Sequence, residues 1–190
     1  MDLFSQKGFA GTTTKEIALA AGVSEAIIFR HFATKRDLYT AILEHNIHSP
    51  GTREVLAQIE ACMKRRDDEG LFRLIAQETI SSLRKDGRFE KLMVHATLEG
   101  HELAAIYNRE FGLPIFDSLC AYLDRRQRSG ALRRIGSGAM IIAICGMAKY
   151  YAMNVESPDS NRHFDDSRIV DAFTRIMMHG VSKKVPKKRK

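Results

Sequence analysis

The strongest constraint on this chain is residues 12–38, TTTKEIALAAGVSEAIIFRHFATKRDL. Thr13 or Thr14 can cap a helix, because either hydroxyl accepts a bond from a first-turn amide. Thr13 with Glu16 has the spacing of a capping box. Ile17, Ala18 and Ala21 fall on one helical face. Gly22 ends that helix, since a left-handed residue costs least as glycine. Ser24 is the next N-cap, and residues 25–32 form a second helix that buries Ile28 and Phe32. Two short helices joined by a glycine-bearing turn make a helix-turn-helix, a motif that lays its second helix in a DNA major groove.

The string Gly8-Phe9, Thr12-Thr13-Thr14, Ile17-Ala18, Ala21-Gly22-Val23-Ser24, Phe29, His31-Phe32, Lys35 and Leu38 resembles the TetR family of bacterial one-component repressors. The resemblance covers about the first quarter of the chain. It implies an all-α fold, with an N-terminal three-helix helix-turn-helix DNA-binding domain and a larger helical ligand-binding and dimerisation domain. It also places Thr14, Phe29, His31 and Lys35 at phosphate-facing positions. The family usually carries Tyr where this chain has Phe29, which removes one hydroxyl donor. It also usually has a longer first helix than residues 1–7 supply.

Base reading falls to the exposed starts of the two helices. Lys15 can donate to guanine, Glu25 can accept from cytosine N4, and Ala26 and Ile27 can meet thymine methyls. Ser24 lies beside them.

The rest of the chain agrees with an all-α reading, because apolar residues recur every three or four positions. Helices are expected at 35–47, 52–66, 69–85, 89–99, 101–128, 137–153 and 165–181, with Pro114 able to kink the fifth of these. Ser49-Pro50-Gly51 breaks the pattern. The expected division is therefore a DNA-binding domain at 1–47, a ligand-binding and dimerisation domain at 52–181, and a basic tail at 182–190. Net charge is +7, and six of those charges are Lys and Arg in the tail. The overall basicity is thus little argument for DNA binding, and the motif carries that case.

The family resemblance implies a homodimer through 137–153 and 165–181. The first of these is nearly apolar all round, which demands burial on more than one side. Its Gly138, Ala139, Ala143 and Gly146 permit close helix approach. The candidate effector pocket is apolar and aromatic, drawn from Phe72, Phe89, Met93, His95, Leu98, Tyr107, Phe111, Phe116, Leu119 and Tyr122. It suits a small hydrophobic or aromatic molecule.

No cofactor is expected, and no enzyme: there is no glycine-rich phosphate loop, nucleophile elbow or paired-carboxylate pattern. No metal site is expected either. His45 with His48, and His95 with Glu99, each bring only two ligands at helical spacing. Cys62, Cys120 and Cys145 are scattered in apolar surroundings, as in a reducing compartment. No apolar run is long enough to span a bilayer, and no leader is evident, so the expected location is the cytoplasm. Two alternatives stay open: a helical DNA-binding regulator without a small ligand, and a helical sensor that acts through protein partners.

Overall fold

The computed structural model describes residues 1–154 and 164–181. The expected loop at 156–164, apart from Phe164, and the basic tail lie outside the described residues. Among the described residues the chain forms eleven α-helices and one π-helical segment, with no strand. They are α1 (Asp2–Lys7), α2 (Thr14–Ala21), α3 (Glu25–His31), α4 (Lys35–Ile47), α5 (Pro50–Arg65), α6 (Asp68–Asp86), α7 (Arg88–Leu98), α8 (Glu102–Tyr107), the π segment Asn108–Gly112, α9 (Leu113–Arg128), α10 (Ser137–Asn154) and α11 (Asp166–Val181).

The single helix expected over 101–128 is thus three pieces. Pro114 has no N–H to give the carbonyl four residues back, and its ring would crowd that carbonyl. The ladder widens just before it, and the Leu113 amide bonds to the Asn108 carbonyl instead.

The helices group into two compact units. The first comprises Met1–Glu54 and Lys85–Leu113, and the second Val55–Arg84 and Pro114–Lys190. This differs from the linear division expected from the Pro50 break, because residues 85–113 join the N-terminal head. The reason lies in the core. Helix α1 has only six residues, too few to cover α4. Leu92 and Ala96 of α7 and Leu103 of α8 complete a core with Phe4, Tyr39 and Leu43. Tyr39 is fully buried there. Its ring meets Phe4 at 4.7 Å and Phe9 at 5.1 Å, and the edge of His101 at 5.1 Å.

The second unit is built on Leu71, Phe72, Ile75, Leu123, Ile144 and Ala148, among others. One charged group is buried in it. Asp68 accepts from Arg126 Nε at 2.8 Å and Nη2 at 2.7 Å, and from the Tyr122 hydroxyl at 2.5 Å. A buried carboxylate is tolerated only when paired and hydrogen-bonded in this way. Residues expected to start α11 divide their work: Asp165 caps by accepting from the Ser167 amide at 2.9 Å, while Asp166 takes the fork of Arg84 at 3.0 Å.

Helix α10 departs from expectation. Within this chain it is not covered all round: Ile142, Tyr150 and Met153 are 65%, 72% and 51% exposed. Ile176 of α11 is 58% exposed. Gly138 serves packing inside the chain, since a Cβ there would stand 3.1 Å from the Phe116 ring. Gly146, by contrast, faces open space.

Candidate nucleic-acid interface

The head is assembled by local bonds. The Thr13 hydroxyl accepts from the Glu16 amide at 3.2 Å, and Glu16 accepts back from the Thr13 amide at 2.9 Å, which closes the capping box of α2. Glu16 also accepts from Lys7 Nζ at 2.7 Å. These bonds, the Lys7 one first, pull the Glu16 carboxyl down to about 2. Helix α2 ends on Gly22 at φ 68°, ψ 26°. The Gly22 amide bonds to the Leu19 carbonyl and the Val23 amide to that of Ala18, a Schellman ending that leaves a three-residue turn into α3. A second capping box, Thr34 with Asp37, starts α4.

On α3 only Ile28 is buried, and Ser24, Ala26, Ile27, Phe29, Arg30 and His31 are exposed. Phe32, just past the helix, is half-buried rather than core, and Ala21 of α2 is exposed. At 100° per residue, Ala26 and Arg30 lie at the centre of the face opposite Ile28, flanked by Ile27 and Phe29. Ile27 and Phe29 are large apolar groups left in water, 39% and 47% exposed. Such groups mark a surface that meets a partner. Arg30 was absent from the residues expected to read DNA. The signal was in the sequence, one turn beyond Ala26. An arginine there can take guanine O6 and N7 together or fork onto a phosphate.

The other expected contact residues are placed as follows. Lys15 is exposed. Ser24 caps α3 by backbone position alone, with no side-chain cap bond. The Thr14 hydroxyl donates to Glu25 Oε1 at 2.6 Å, so these two tie α2 to α3, and any phosphate bond by Thr14 must displace Glu25. Lys35 Nζ donates to the carbonyls of Phe9 at 2.7 Å and Thr12 at 2.8 Å, and sits 4.0 Å above the Phe9 ring centroid. Its charge therefore holds the connection between α1 and α2, and is not simply offered to a phosphate.

That connection has a further tie. Gly8 adopts φ 69°, ψ −175°, a conformation open in practice only to glycine. The Phe9 amide donates to Glu99 at 3.2 Å, and the buried Thr12 hydroxyl donates to the Gly8 carbonyl at 2.8 Å.

The candidate pocket residues do not form one group. Phe89, Met93, His95, Leu98, Tyr107 and Phe111 belong to the first unit, and Phe72, Phe116, Leu119 and Tyr122 to the second. Phe72, Leu119 and Tyr122 are buried core. Leu98 is 80% exposed and lines nothing. Phe89, Tyr107 and Phe111 form a row, with centroids 5.7 and 5.5 Å apart, and Met93 packs in the same cluster.

These features define a helix-turn-helix protein of all-α architecture. Residues 1–42 match the family model for bacterial regulatory proteins of the tetR family. The chain is 48% identical over 60 residues to the HTH-type transcriptional regulator YvkB of Bacillus subtilis (strain 168), covering 32% of this chain and 31% of that one. It is 43% identical over 44 residues to the HTH-type transcriptional repressor Rv3405c of Mycobacterium tuberculosis (strain ATCC 25618 / H37Rv), covering 23% of each. The chain thus matches less than a third of the length of these relatives. Its fold is similar throughout to that of AibR in complex with isovaleryl coenzyme A and operator DNA, with TM-score 0.69 and 21% identity over 92% of this chain and 91% of AibR. The head is that of a TetR-family regulator, and the whole chain has the fold of TetR-family structures. Its relatives are transcriptional regulators, not enzymes. Among the described residues no helix is long and apolar enough to cross a membrane.

Proposed function

We propose that this protein is a ligand-responsive transcriptional repressor that reads a pseudo-palindromic operator as a homodimer. The observation that carries the reading is the bare face of α3, where Ala26, Ile27, Phe29 and Arg30 stand in water on a TetR-family head. Lys15, Ser24 and His31 extend that face, and Glu25 sets the angle between α2 and α3 through Thr14. One head covers only a few base pairs, so selectivity needs two, on half-sites about one helical turn apart.

The exposed apolar stripe of α10 and α11, Ile142, Tyr150, Met153 and Ile176, supports the dimer, since groups of that size left in water suit a self-complementary face. The effector proposed is small and hydrophobic or aromatic, taken by the row Phe89, Met93, Tyr107 and Phe111. Binding that favours a state with misplaced heads lowers DNA affinity by population shift. A second reading, a regulator with no small ligand, draws on Phe72, Leu119 and Tyr122, which are packed as core.

The deciding experiment is selection of bound duplexes from a random pool by the full chain. An enriched inverted repeat with about ten base pairs between half-site centres is expected, and no enrichment at low salt rejects the reading. Sedimentation at micromolar concentration should give a dimer that Ile142→Glu with Ile176→Glu splits. A stable wild-type monomer rejects that part. Repeating the selection with aromatic acids and acyl thioesters tests release.

A further inference from the structure

The charge of this protein is not where a DNA-binding head would want it. The unit that contains the helix-turn-helix, residues 1–54 and 85–113, has ten Lys and Arg against eleven Asp and Glu, a net of −1. Residues 55–84 and 114–190 have twenty against twelve, a net of +8. DNA affinity at physiological salt comes largely from cations that displace counterions from phosphates. A unit with a net charge of −1 gains little long-range attraction to that polyanion.

The excess in the second unit is concentrated. Residues 125–134 hold five arginines and no acid. Arg126 is turned inward onto Asp68. Arg125, Arg128, Arg133 and Arg134 are exposed and have no side-chain partner among the described residues. Asp124, the adjoining acid, already accepts from the Ser137 hydroxyl. Arg128 and Arg134 line one open depression of about 500 Å³ with Asp124, Gln127, Ile135 and Gly136. The Arg133 amide donates to the Val181 carbonyl at 2.6 Å, so α11 ends beside the cluster. The nine residues that follow Val181 in sequence include six Lys and Arg and no acid.

We propose that Arg125, Arg128, Arg133 and Arg134, together with the basic segment that follows Val181, form a second, sequence-independent docking surface for the phosphate backbone of duplex DNA. Guanidinium groups fork onto phosphate oxygens and do so without reading bases. A lipid surface fits less well. Ile135 is the one large apolar side chain lining the depression, and interfacial binding needs an apolar face to insert. The choice of DNA over other polyanions rests on the regulator reading above.

The test uses the full chain and a 30-base-pair duplex of arbitrary sequence. Replacing the four arginines with Gln should lower the slope of log K against log salt by about 3 to 4, at about 0.9 per phosphate contact. It should also abolish capture of a second labelled duplex by protein already bound to immobilised operator. The same four positions as Lys should keep both. An unchanged slope in the Gln variant overturns the proposal. So does a loss in the Lys variant equal to that of the Gln variant, which would mark a structural role, or a Gln variant that loses only its binding to phosphatidylserine vesicles. Failure of the regulator reading looks different: random-pool selection finds no preferred sequence, while the arbitrary duplex still responds to the arginine replacements.

Discussion

Lys35→Met separates two jobs that a lysine at the start of α4 can do. Family position makes Lys35 a phosphate contact, whereas its bonds make it a clamp on residues 8–12. A cation in the first turn opposes the helix dipole, so something must offset its presence there. The offset is two charge-assisted bonds, to the Phe9 and Thr12 carbonyls at 2.7 and 2.8 Å, and the ring of Phe9 beneath the ammonium. Bonds to charged groups contribute about 1.5–3 kcal/mol each, and an exposed cation–π contact about 0.5–1 kcal/mol. Lys35 is half-buried, so the lower end applies, and about 2–3 kcal/mol is the expected loss. Met keeps the stem packed and removes only the charge. Urea denaturation followed by circular dichroism should show that loss, with a fall in Tm of roughly 5–10 °C for a chain of this size. The slope of log K against log salt for operator DNA should stay within about 0.3 of wild type. A slope reduced by about 0.9, the value for one phosphate, with stability unchanged, would refute the clamp and restore the phosphate role.

Three further outcomes follow from the same region. Gly8→Ala forces a side chain into a glycine-only conformation and places its Cβ 1.8 Å from Glu99 Oε1. The expected cost is about 2–3 kcal/mol, and Glu99→Ala in the same chain should recover only the part due to the clash, as read by urea melts of the double-mutant cycle. The Tyr39 hydroxyl is buried without a hydrogen-bond partner, so Tyr39→Phe should stabilise by about 1 kcal/mol; a destabilised variant would mean the hydroxyl is satisfied in solution. Burial, and secondarily the charge of Glu99, pushes Tyr39 up to about 12. A raised folded value means full stability below pH 10 and loss as the pH climbs towards 12, and Tyr39→Phe should lack that component of the alkaline loss. Glu16 has the opposite sign. Its folded value of about 2 lies below the ordinary 4.5, so its contribution is complete above pH 4.5 and is lost as the pH falls towards 2. Glu16→Gln should flatten the stability profile across that window, and an NMR titration of the Glu16 carboxyl should give a midpoint well under 4.

What was legible in the sequence was local. Thr13 with Glu16, Gly22 and the three-residue turn obey rules that act within five residues, and they appear as read. The Thr34–Asp37 box has the same spacing and could have been read the same way. What was hidden depends on residues far apart in the chain. Lys35 meets carbonyls 26 and 23 positions away, and Glu99 meets Phe9 across 90; no pattern within a helix announces either. The division into units was hidden for the same reason, because Pro50 marks a break in α-helical geometry and not a limit of packing. Tyr39 looked marginal on α4, since its burial depends on α7 and α8. The aromatic set read as one pocket shares only composition, and composition cannot tell a lining from a core.

The charge distribution sharpens what the head can do alone. Between residues 12 and 32 the cations are Lys15 and Arg30. Of the next two, Lys35 is engaged by carbonyls and Arg36 pairs with Glu102. A surface so poor in free charge discriminates by shape and by a few base contacts, because each good bidentate pair separates right from wrong bases by about 1–3 kcal/mol. It does so with little salt-dependent affinity in reserve, because phosphate contacts supply most of that. Arg30 therefore weighs more here than it would in a strongly basic head. Selectivity and overall affinity are then assigned to different parts of the sequence. Changes on α3 should alter which duplex is chosen, and changes among the arginines of 125–134 should alter how tightly any duplex is held.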